Sequence, residues 1–196
     1  MRTSILAAAL VATGLVAAPA GPAGAANDQD PRTVERTVVY SCDAGPLGQG
    51  DVEVQARVLL PRTVVAGTKL ASRPIDLTVV LPEEMVQALR DAGVEEVSGE
   101  SEDATWSVGE EVRDIDDLVL PATAVPAEGY LVMEGQGLAR AARLGRVDTY
   151  PVRMPATFTA TLTGTGQVDA TADVACALAE GQRAKLTSIR AVPRQD

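Results

Sequence analysis

The 196-residue chain has no histidine. That removes the commonest general base, the usual serine and cysteine hydrolase dyads, and most zinc sites. Aromatics are scarce too, with one Phe, one Trp and three Tyr, so Val, Leu and Ala must fill the core. Only two cysteines occur, Cys42 and Cys176. No Walker-type loop is present. The segment Gly135-Gln136-Gly137-Leu138-Ala139-Arg140 opens like a dinucleotide fingerprint but lacks its last Gly and its strand–helix setting.

The N-terminus reads as an export signal. Met1-Arg2-Thr3-Ser4 carries one positive charge, and 5–18 is apolar or small throughout. Ala23-Gly24-Ala25 has the A-x-A spacing of a cleavage site, so residues 1–25 are expected to be a cleaved signal peptide. The apolar run is too short for a span of roughly 20 residues, and Thr13 and Gly14 interrupt it. No Cys near the cleavage point invites a lipid anchor, no later run approaches spanning length, and the C-terminal residues form no hydrophobic tail. The expected location is secreted and extracellular, with loose association to the cell wall as a variant.

Removing the signal takes away only Arg2, leaving 16 basic against 27 acidic residues. That balance disfavours nucleic acid and anionic lipid as partners. In an exported chain an even cysteine pair is first read as a disulfide, so Cys42–Cys176 is expected to tie the first strand to one of the last.

Residues 26–35 are expected to be a flexible leader, and 36–196 a single domain. Period-2 alternation then dominates. Val38, Tyr40 and Cys42 share one face, as do Val52, Val54, Ala56, Val58 and Leu60. Ala156, Phe158, Ala160 and Leu162 alternate with threonines, and Val168, Ala170, Ala172, Val174 and Cys176 share a face. Both cysteines therefore lie on apolar strand faces, where the inner faces of two packed strands would bury a bridge. Further strands are expected at 75–81, 104–108, 115–120, 129–134 and 186–192. Short strands with Gly/Pro spacers every ten or so residues predict an all-β antiparallel sandwich of immunoglobulin-like general architecture. One short helix interrupts it, opened by Pro82, Glu83 and Glu84 and stopped at Gly93, with Met85, Val86, Leu89 and Ala92 as its apolar stripe. It is read as a plug at one end.

Thirteen of the 27 acidic residues fall between Glu83 and Asp117. A glycosidase would use two carboxylates flanking a sugar, usually with aromatic platforms, and few aromatics are available. Weak calcium binding is a better use of such oxygens, although neither run has the spacing of a calcium loop. The default is a solvated acidic edge that discourages edge pairing. Arg140, Arg143 and Arg146 either meet that acidic segment within the fold or contact an anionic wall polymer. Trp106 alternates with Ala104 and Val108 and is read as core.

The signal peptide, Val38-Val39-Tyr40-Ser41-Cys42 before a Gly/Pro turn, Leu89-Arg90-Asp91-Ala92-Gly93, Tyr150-Pro151-Val152, and Val174-Ala175-Cys176-Ala177-Leu178 together resemble a domain of unknown function found in secreted proteins of high-GC actinobacteria. The resemblance covers about 36–182. It implies an exported all-β domain with a first-to-last-strand disulfide, and it implies no activity.

These readings predict no catalytic residue, no metal ligand and no cofactor, with the binding residues unknown. The expected role is a secreted, non-catalytic binding or structural module whose partner is an extracellular protein or envelope component. A secreted inhibitor or ligand of an extracellular enzyme is the alternative, with the 44–50 turn as its candidate loop. A carboxylate-dependent hydrolase is a third.

Overall fold

The computed structural model describes residues 29–194 apart from Val168. The expected signal peptide, residues 26–28 and the last two residues lie outside the described residues.

The strands are β1 (Gln29–Asp43), β2 (Gln49–Val65), β3 (Lys69–Leu70), β4 (Arg73–Leu81), β5 (Val94–Ser101), β6 (Thr105–Val108) and β7 (Glu111–Ala124). They continue with β8 (Leu131–Ala139), β9 (Ala142–Arg143), β10 (Asp148–Arg153), β11 (Thr157–Gly166), β12 (Ala170–Leu178) and β13 (Lys185–Val192). Helix α1 (Glu83–Asp91) follows β4, and β3 pairs with β9 as a separate two-stranded ribbon. The all-β class, one α-helix among the described residues and the single disulfide are as expected.

Alternation is what makes these segments strands. In β2, buried Val52, Val54, Ala56, Val58 and Leu60 alternate with exposed or half-buried residues. β-Branched side chains fit such a half-buried pleated surface. Glu83 and Glu84 lie in the first turn of α1, Arg90 in the last, and Met85, Val86 and Leu89 are buried. Gly93 ends the helix at φ 77°, a left-handed conformation that a Cβ would oppose.

The expected sandwich proves more tightly joined than an immunoglobulin-like pair of sheets. Antiparallel pairing runs β1–β12–β11–β5–β7–β8–β4–β2 and returns to β1, so eight strands form a closed circuit. Closure removes the free edges that open sheets must protect. Strands β6, β10 and β13 form a second path from β7 to β2, and β13 meets β2 in parallel, the one exception to the antiparallel rule among these pairings. One apolar cluster lies inside, with Tyr40, Leu60, Met85, Met133, Val152 and Ile189 among its buried members.

Two expectations need correction. Residues 29–35 are not a leader: they are the start of β1, paired with β2 from Gln29↔Thr63 to Glu35↔Arg57. Pro31 stands opposite Pro61, and Arg32 hydrogen-bonds Thr187 of β13. Polar composition misled there, because among residues 31–35 only Val34 is buried. The cysteines, in turn, do not face each other across two layers. Cys42 and Cys176 are in-register neighbours on β1 and β12.

Candidate functional site

The bridge staples a short seam. β1 and β12 share four residue pairs, Tyr40↔Leu178 to Asp43↔Ala175, and the disulfide joins the third of them with S–S 2.05 Å and Cα–Cα 4.1 Å. Outside it lies an open groove of about 720 Å³, within the usual range of ligand clefts. Its walls include Ser41, Asp43, Asp51, Asp103, Thr157 and Thr159.

Every one of these carboxylates is already engaged. Asp51 accepts from Ser41 Oγ at 2.7 Å. Asp43 accepts from the Gly45 N–H at 2.9 Å and from Gln49 Nε2 at 2.9 Å, and these bonds, that from Gly45 first, hold its carboxyl below the usual range. Asp103 accepts from the Thr159 N–H at 2.9 Å and Thr159 Oγ1 at 2.8 Å, with Ser101 Oγ at 3.2 Å. Partial burial pushes its pKa up, but those bonds outweigh the burial and the net direction is down. A general acid needs the opposite shift. The groove thus presents fixed acceptors.

The 44–48 turn beside the bridge is ordered. Gly48 N–H donates to Gly45 C=O at 3.0 Å, and Ala44 N–H to Gly48 C=O at 2.9 Å. Ala44 is buried, Leu47 is half-buried against the core, and Gly45 and Pro46 form the exposed tip.

Beneath the groove, inside the strand circuit, is a chamber of about 100 Å³ whose free wall is wholly apolar. Cys42, Phe158 and Cys176 line both spaces. Tyr40 also lines the chamber, fully buried, edge-on to Phe158 with centroids 5.0 Å apart. Its hydroxyl donates to Pro155 C=O at 2.9 Å, and burial pushes its pKa up to about 12. At roughly 24 cal/mol per Å³, an empty chamber of this size costs on the order of 2 kcal/mol.

The acidic segment is spread over α1, β5, the turns after β5 and β6, and β7 rather than gathered. Glu95, Glu96, Glu100 and Glu102 are exposed. Arg140 reaches across to Asp116 at 2.6 Å and Asp114 at 3.2 Å, so the basic stretch does meet the acidic one. Glu111 pairs with Arg113 and accepts from the Arg143 N–H at 2.9 Å. Its carboxyl sits below the usual range: burial raises it, and the Arg143 amide and the Arg113 guanidinium lower it by more. Among the described residues no three His, Cys, Asp or Glu side chains gather to hold a metal. Trp106 is core, its Nε1–H donating to Arg140 C=O at 3.1 Å. The fingerprint-like segment lies mostly within β8 (Leu131–Ala139), where a Cβ on Gly135 would stand 2.5 Å from Leu120 Cδ2.

Sequence reasoning placed Cys42, Cys176 and the 44–50 turn together. It did not single out Asp103, Thr159 or Pro155. Asp103 and Thr159 are 56 residues apart, and no local pattern in the sequence links them.

The bridge, the closed β circuit and the groove define an all-β, disulfide-closed domain. The chain belongs to the family of unknown function DUF6801, whose pattern it matches over residues 39–187, three quarters of its length and close to the expected 36–182. No curated protein matches the chain, and no solved structure does. Among the described residues no helix is long and apolar enough to cross a membrane.

Proposed function

We propose that the protein is an exported, non-catalytic binding module of the extracellular space or cell wall, and that the groove beside the bridge is its contact surface. The observation that carries this reading is the engagement of Asp43, Asp51 and Asp103 by their own neighbours. Carboxylates so held make fixed acceptors for a partner's donors and poor proton donors. The disulfide is compatible with an oxidising compartment, and the A-x-A segment supplies the export route.

The test is retention of the mature chain on purified envelope fragments and on immobilised culture-fluid proteins. Thr157→Arg and Ala177→Arg, both exposed in the groove, are expected to abolish retention. Glu83→Arg, on exposed helix surface, is expected to leave it intact. No retention at any salt or calcium concentration overturns the reading. The rigid 44–48 turn favours a second reading, a ligand or inhibitor of an extracellular enzyme. In that case Pro46→Asp at the tip would abolish retention by culture fluid while leaving retention by envelope unchanged.

A further inference from the structure

We propose that the chamber is a binding site for a short hydrocarbon group, up to about the size of a benzene ring. Closure of the strand circuit limits how much space lies inside it. A ring of eight strands is about wide enough to be filled by side chains or to hold one small ligand. Which of the two occurs depends on the size of the inward residues. Here they are mostly Val, Leu and Ala, with Tyr40, Trp106 and Phe158 as the large aromatic exceptions, and a void of about 100 Å³ remains. Its wall presents no polar surface, so a water inside would find none of the two to four partners that hold buried water. An apolar cavity of about 150 Å³ lined by aliphatic and aromatic side chains stays dry and takes up benzene or xenon. This chamber is somewhat smaller and chemically alike.

Its lining can also adapt. Met85 reaches in from α1, and Met154 from the connection after β10, and thioether chains repack at small cost. Met154, Pro155, Phe158 and Leu186 line the chamber and are only half-buried, so this part of the wall lies close to solvent. The site is separate from the groove. Loss of retention on envelope would leave it standing, and its own failure would leave the groove reading standing.

The test is a methyl NMR titration and a melting curve on the oxidised mature chain, with benzene, n-hexane and hexyl glucoside as probes. Saturable shifts at the methyls of Val54, Leu77 and Val174, which line the chamber, and a melting midpoint that rises with probe concentration are expected. Val174→Phe fills the space and is expected to remove both responses. Ala160→Leu is the milder filling should the first variant fail to fold. Shifts with hexyl glucoside assign the chain end of an amphiphile as the source, and shifts with benzene and n-hexane alone assign a free hydrocarbon. The proposal is overturned if no probe gives a saturable response. It is equally overturned if the responding methyls are surface ones such as Val112, Val132 and Val147, or if a folded, filled variant responds as the parent does.

Discussion

Two short ladders complete the strand circuit, and they are fastened in opposite ways. At the β1–β12 seam, four residue pairs are joined by a covalent bridge and backed by Tyr40 packed on Phe158. At the β7–β8 seam, the pairs are Ile115↔Ala139, Asp116↔Leu138 and Val119↔Gln136, with a register shift between. Nothing covalent holds that seam. Instead Asp117 takes φ 50°, a bulge that moves the inward face from Ile115 to Leu118 and Leu120. Gly135 and Gly137 leave room for those side chains to cross β8. One seam is closed by adding a bond, the other by removing side chains. Closing a sheet requires strands to bend, and bulges and glycines are the local means of bending them.

The strongest way to break the comparison is to open the bridge. Cys42→Ala with Cys176→Ala releases a cross-link spanning 134 residues and should cost about 2–5 kcal/mol. Urea denaturation checks it. A loss under about 1 kcal/mol would mean that the four-pair ladder closes the ring without its staple.

The matching test of the other seam is Gly135→Ala. Its new Cβ would stand 2.5 Å from Leu120 Cδ2 and 2.6 Å from the Val119 carbonyl oxygen. The leucine can move but the backbone oxygen cannot without disturbing the ladder, so a loss of about 2–3 kcal/mol is expected. Gly145→Ala, with nothing within 4 Å, serves as control and should change stability by no more than about 1 kcal/mol. Equal effects at the two positions would remove the argument that glycine at β8 is there for close approach.

Tyr40 tests the bridged seam from its interior. Its pKa is raised from 10.0 to about 12, so the folded state binds the phenolic proton more tightly than the unfolded state does. The stabilisation is complete below pH 10 and is lost as pH rises from 10 through 12. At 1.36 kcal/mol per pKa unit this amounts to about 2–3 kcal/mol over that window. Tyr40→Phe should flatten that part of the alkaline limb, and should cost about 1 kcal/mol at neutral pH because Pro155 C=O loses its donor.

How much of this was legible in the sequence depends on whether the signal is local. β2, β4, β11 and β12 alternate strictly enough to be read directly, as are the α1 stop at Gly93 and the pairing of two cysteines on apolar faces. β5 was hidden because Glu95, Glu96 and Glu100 read as a charge run, although Val94, Val97, Gly99 and Ser101 turn inward. β10 was hidden by Pro151, which is tolerated because its carbonyl, not an N–H, is used, accepting from Gly109 at 2.8 Å. The start of β1 read as a leader because its partner, the far end of β2, is remote from it in sequence. Closure itself was not legible: it rests on which strands pair, and pairings such as β5–β11 and β1–β12 join positions more than sixty residues apart. The turn next to Cys42 was legible, but the groove beside it and its best-held carboxylate were not. The chamber had one sequence clue, the shortage of aromatic residues.

The smallest effect should come from the charges beside the glycine seam. Arg140 joins Asp114 and Asp116 across β7 and β8, yet its side chain is 56% exposed and that of Asp114 is 61% exposed. Water and salt screen such pairs, and holding the long side chain in place costs rotamer freedom. Arg140→Ala should therefore lower stability by under about 1 kcal/mol, with the difference shrinking further as salt is raised from low to molar concentrations. Thermal denaturation of parent and variant across that salt range checks it. A larger, salt-insensitive loss would mean that the ion pairs, and not the glycines, hold β7 against β8. The two seams would then differ in the kind of fastening used, covalent against ionic, rather than in whether side chains were added or removed.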